Sequence, residues 1–121
     1  MIHTSSRTAV ALFCLALGAA AIANVTPRYS LEKKVALSDL VVIGRAVSVA
    51  SFRSGGFVSV HVDTYLKGSS SSQIDVITRG PIAEQNLKCC VVGKTYLFFL
   101  KQLPNRKYLS VNGPFGVYPM D

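Results

Sequence analysis

The run from residue 57 to residue 67, F-V-S-V-H-V-D-T-Y-L-K, alternates apolar and polar side chains with a period of two. Val58, Val60, Val62, Thr64 and Leu66 fall on one side, and Ser59, His61, Asp63, Tyr65 and Lys67 on the other. This pattern is that of an antiparallel β-strand with one face buried and one face wet. Ser54-Gly55-Gly56 before it signals a turn, and Gly68 with the serines at 69–72 signals a loop behind it.

The neighbouring segments extend this into a sheet. Residues 40–50, L-V-V-I-G-R-A-V-S-V-A, are rich in β-branched residues and apolar or small on both faces, as in a central strand. Gly44 inside that run is a candidate bulge, a device that curls a sheet toward a barrel. Residues 73–79 predict a third strand with Ile74 and Val76 inward, ended by Gly80-Pro81. Residues 81–93 form a longer connection. Residues 95–101, T-Y-L-F-F-L-K, predict a fourth strand set deep in the fold, because both its faces are apolar. Pro104-Asn105 and Asn112-Gly113-Pro114 punctuate a short strand at 107–111 and an edge segment at 115–119. One short helix is expected over 30–39, capped by Ser30, with Glu32 in its first turn and Leu31, Val35 and Leu40 sharing a face. The expected fold is mainly all-β, a small OB-like antiparallel barrel of five to six strands with one short N-terminal helix, built from residues 24–121.

Residues 1–23 have a different character. Arg7 precedes A-V-A-L-F-C-L-A-L-G-A-A-A-I-A at 9–23, an uncharged apolar block ending in Ala21-Ile22-Ala23. A positive start, an apolar centre and a small-x-small end predict a cleavable secretory signal over 1–23. A retained anchor and a buried helix are the other readings. The signal reading places the working domain in the periplasm or outside the cell, with no stable membrane span after cleavage. Phe13 beside Cys14 is a poor fit for a lipid-modified cysteine. The net charge of +7 comes from basic residues scattered along the chain, without the block of like charges that marks a nucleic-acid arm. A protein, peptide or glycan partner is therefore expected, and no nucleic acid.

The order and spacing of four segments resemble a family of small secreted OB-like β-barrel proteins found mostly in bacteria. These are S-D-L-V-V-I-G-R-A-V at 38–47, V-H-V-D-T-Y-L-K-G at 60–68, I-D-V at 74–76 and G-K-T-Y-L-F-F-L at 93–100. More distantly, the arrangement is similar to the netrin-like modules of tissue inhibitors of metalloproteases. The resemblance implies the barrel and an extracytoplasmic setting. Those inhibitors act through a cysteine at the mature N-terminus, whereas Asn24 stands at the expected one here, so no inhibitory residue carries over.

The chain has no P-loop, dinucleotide fingerprint, C-x-x-C, H-E-x-x-H or G-x-S-x-G. No enzyme activity and no cofactor are expected. Two features stand out. Arg45, His61, Tyr65 and Lys67 are a candidate contact surface, basic and aromatic, to be joined by the loop at 80–94. Cys89-Cys90 is the other. Adjacent Cα atoms lie about 3.8 Å apart across a trans bond and about 2.9 Å across a cis one, while ordinary disulfides span roughly 4.4–6.8 Å. Free thiols, a vicinal disulfide, an intermolecular disulfide and an incomplete soft-metal site all remain open. The leading function is a non-enzymatic extracytoplasmic interaction or binding module, and the alternative is thiol, disulfide or soft-metal handling at Cys89 and Cys90.

Overall fold

A computed structural model describes residues 27–120, so the signal segment expected at 1–23 lies outside the described residues. Two long strands, β1 (Leu40–Phe52) and β2 (Gly55–Lys67), form an antiparallel hairpin across Arg53 and Ser54. β3 (Gln73–Arg79), β4 (Thr95–Gln102), β5 (Tyr108–Ser110) and β6 (Val117–Pro119) follow. The strand order is β1-β2-β3-β5-β4-β6, and β1 also pairs with β4. Five strands therefore close into a barrel, with β6 added on β4. The expected OB-like barrel with a short helix is the architecture found. One pairing departs from the all-antiparallel expectation. β3 and β5 run parallel and share a single register pair, Val76 with Tyr108.

The barrel interior is filled by Val42, Ala46, Val58, Val60, Ile74, Val76, Phe98 and Leu100, with Tyr96 and Tyr108. A second, smaller cluster of Val41, Phe99 and Val111 packs outside the sheet with Tyr29, Leu97 and Tyr118. These two clusters explain why β1 and β4 read as apolar on both faces. Val42 and Phe98 point in, while Val41 and Phe99 are covered from outside.

The alternation of β2 does not run its full length. Val58, Val60 and Val62 are buried as expected, but Thr64 and Leu66 are exposed and Tyr65 packs on the core. Ile43 faces Thr64 and Gly44 faces Val62, so Asp63 is an extra residue opposite their junction. A bulge of this kind shifts the side-chain phase by one residue and turns the next side chains to the other face. Gly44 marks the site, as expected. A Cβ there would stand 2.5 Å from Val60 Cγ1 and 2.8 Å from the His61 carbonyl oxygen.

The helix α1 (Leu31–Leu37) starts at Ser30, whose Oγ accepts from the Lys33 N–H at 3.2 Å. Its face is the reverse of the expected one. Leu31 is 63% exposed and Val35 and Leu37 are also exposed, while Lys34 is only 2% exposed. The Lys34 ammonium donates to the Phe115 carbonyl oxygen at 2.9 Å and to the Tyr118 hydroxyl. It lies 4.7 Å from the centre of the Tyr118 ring and 5.8 Å from that of Phe99. Lys67 Nζ donates to the Val35 carbonyl oxygen at 2.8 Å, holding the other end of the helix. Polar clamps to partners distant in sequence, not the apolar stripe, set the orientation of α1.

Candidate functional site

The four residues expected to share one surface divide into three settings. Arg45 and His61 are register partners on β1 and β2, and both are exposed. Tyr65, beyond the bulge, is half-buried against the core and its hydroxyl donates to the Ser71 carbonyl oxygen. Lys67 reaches α1. Burial pushes the Tyr65 phenol above its usual value of 10.0, the neighbouring Tyr108 adds to this, and hydrogen bonding at Ser70 opposes it. Tyr108 donates to Ser70 Oγ at 3.1 Å, so two phenols from the interior hold the serine loop between β2 and β3.

The loop at 80–94 carries the cysteines. Cys89 and Cys90 are joined to each other by a disulfide, with Cα atoms 3.1 Å apart and a cis peptide bond between them. The loop is tied on both sides of this pair. The Leu87 N–H donates to the Thr78 carbonyl at 2.9 Å, and the Gly93 N–H donates to the Ala46 carbonyl at 2.8 Å. The Val91 N–H donates to the buried Tyr96 hydroxyl at 2.9 Å. Cys89 lines a cavity of about 470 Å³, together with Arg28, Lys88, Tyr96, Phe115 and Val117. Among the described residues, no three His, Cys, Asp or Glu side chains are grouped to hold a metal ion.

A larger cleft of about 530 Å³ lies alongside the β3–β5 seam. Ile77 and Ile82 line it from β3 and the loop beyond, Leu103 and Leu109 from around the β4–β5 turn, and Phe52 and Phe57 from the first hairpin. Its charged groups are already engaged. Arg79 donates to the carbonyl oxygen of Gly55 at 3.0 Å and to that of Phe52. Lys107 stands 3.8 Å above the Phe57 ring and 3.6 Å from Asp75, whose other oxygen accepts from Ser59 Oγ at 2.8 Å. The result is an apolar recess in a fixed polar frame.

Comparison of the chain with protein families, curated proteins and solved structures finds no match. The likeness to small secreted barrels thus rests on the order and spacing of the strand segments alone.

The cleft is lined by residues of the loop at 80–94 and by the Phe57 end of β2, away from Tyr65 and Lys67. Phe52 was a readable signal, being a phenylalanine beside a turn. Leu103, Leu109 and Lys107 carried none, because their place depends on how the barrel closes. Arg28, in the polar lead-in, likewise gains meaning only from the Phe115 ring, 4.9 Å from its guanidinium.

Proposed function

We propose that the protein is a non-enzymatic binding module that works outside the cytoplasm and receives an apolar side chain of a protein or peptide partner in the cleft beside the β3–β5 seam. The observation that carries this reading is the cleft itself. Its volume of about 530 Å³ falls in the range of roughly 300–1,000 Å³ usual for ligand sites, which are concave and mostly apolar. Its rim holds two large exposed apolar side chains, Phe52 at 54% and Ile82 at 51%. Such groups at the mouth of a recess favour a partner that covers them. The apolar lining favours an amino-acid side chain over a glycan, which needs more free polar groups. The basic balance of the chain favours acidic residues flanking that anchor.

Peptides selected by display against the immobilised protein test the reading. They should share an aliphatic or aromatic anchor, and they should be lost on Ile82→Glu and on Phe52→Glu but kept on Leu31→Glu. All three positions are exposed, and far-UV circular dichroism checks that each variant is folded. Peptides that bind both cleft variants as well as the parent would overturn the assignment.

A further inference from the structure

We propose that the cavity at Cys89 is a site for small anionic thiols, which exchange with the Cys89–Cys90 disulfide while the fold stays intact. Three observations lead to this. First, both cysteines are half-buried, but Cys89 lines the cavity and Cys90 does not, so the cavity opens an approach to the Cys89 end of the bond. Second, the cavity holds Arg28 and Lys88, both exposed. Among the described residues, neither has a carboxylate within ion-pair distance. The Arg28 guanidinium is held over the Phe115 ring at 4.9 Å, which fixes one charge at the wall. Third, the loop is secured through Leu87, Val91 and Gly93 by hydrogen bonds that do not involve the sulfurs. Opening the S–S bond therefore leaves both cysteines where they can close again.

The exchange balances as a two-electron reaction. The thiolate of the small molecule attacks Cys89 Sγ, forming a mixed disulfide and expelling Cys90 as a thiolate. A second thiolate attacks the small-molecule sulfur of that mixed disulfide and releases Cys89. Two small thiols are oxidised to their disulfide, and their protons pass to the two cysteines. The reverse reaction, with the small disulfide as oxidant, restores the bond. The cations act on the charge of the incoming molecule, so they select an anionic tail in addition to the thiolate. The volume of about 470 Å³ accommodates a thiol of peptide size.

The test compares 2-mercaptoethanesulfonate with 2-mercaptoethanol, thiols of similar length that differ in tail charge. Both react with the purified, folded protein, and rates are normalised to thiolate concentration. The sulfonate should react roughly five-fold faster at low salt, the scale of two exposed cations acting through water. The advantage should vanish in Arg28→Gln/Lys88→Gln and at high salt. Acid-quenched mixed disulfide should map to Cys89 by mass spectrometry. Equal rates overturn the proposal, as does an advantage that survives the double substitution. So do a mixed disulfide on Cys90 and a disulfide reduced only after unfolding in urea. Circular dichroism of the double variant, altered only at exposed side chains, confirms that it is folded.

Discussion

Replacing Lys34 by methionine isolates the clamp that orients α1. The parent side chain makes two hydrogen bonds from a charged donor, to Phe115 and Tyr118, and lies within cation–π range of two rings. Charge-assisted bonds contribute about 1.5–3 kcal/mol each, and a desolvated cation–π contact about 2 kcal/mol. Against this, a buried ammonium costs several kcal/mol to desolvate, a cost that methionine removes. Methionine keeps the stem packed, and the half-buried Tyr118 hydroxyl can turn to water. The net loss should be about 2 kcal/mol. Lys34→Ala also removes three buried methylenes at about 0.8 kcal/mol each, taking the loss to about 4 kcal/mol. Urea unfolding followed by far-UV circular dichroism measures both, and tyrosine fluorescence is a clean second probe because the chain has no tryptophan. A cycle with Tyr118→Phe should return a coupling of about 1 kcal/mol or more. A methionine variant as stable as the parent, or zero coupling, would refute the view that this clamp holds the helix.

Three further outcomes follow from the packing and the titration. Gly116→Ala should cost about 3 kcal/mol or more in thermal melts, because its Cβ would lie 2.1 Å from the Val111 carbonyl oxygen; Gly44→Ala should also be clearly destabilising, since its Cβ would meet the buried, β-branched Val60 at 2.5 Å and the His61 carbonyl oxygen at 2.8 Å. The Tyr65 phenol is raised in the folded state, so above pH 10.0 the unfolded chain ionises first and stability falls; Tyr65→Phe should show a shallower loss of urea midpoint between pH 9 and 11. Cys89→Ser/Cys90→Ser should shift stability by only about 1 kcal/mol, because the bond links adjacent residues and closes almost no chain; a loss above about 3 kcal/mol would show a wider structural role.

The strands were legible wherever local pattern decides structure. The third strand falls at 73–79 as read, and the central position of 40–50 followed from two apolar faces. What the sequence hid was set by contacts far apart in the chain. Gly44 hinted at a bulge, but nothing in the period-two run of β2 placed the extra residue at Asp63, where it turns Tyr65 inward. Lys34 reads as solvated until Phe115 and Tyr118 are brought over it. The apolar cleft was missed for the same reason. Its walls come from three separate stretches of the chain, 52–57, 77–86 and 103–109, and only the β3–β5 closure places Leu109 near Ile77. The cysteine pair was legible as unusual, whereas its cavity and its neighbour Arg28 were not.

The closure of the barrel also sets the order in which the chain can mature. β1 has β2 on one side and β4 on the other, so Val42 lies between a near neighbour, Tyr65, and a remote one, Phe98. Phe98, Phe99 and Leu100 are among the most buried side chains, and all three reside in β4. During synthesis the first three strands therefore appear without the largest side chains of their core and without their closing edge. Pairings this remote in sequence form slowly, because the loop entropy is lost before the contacts reward it. The barrel therefore cannot close until the last third of the chain is available, and until then β1 presents an unpaired edge beside its hairpin partner.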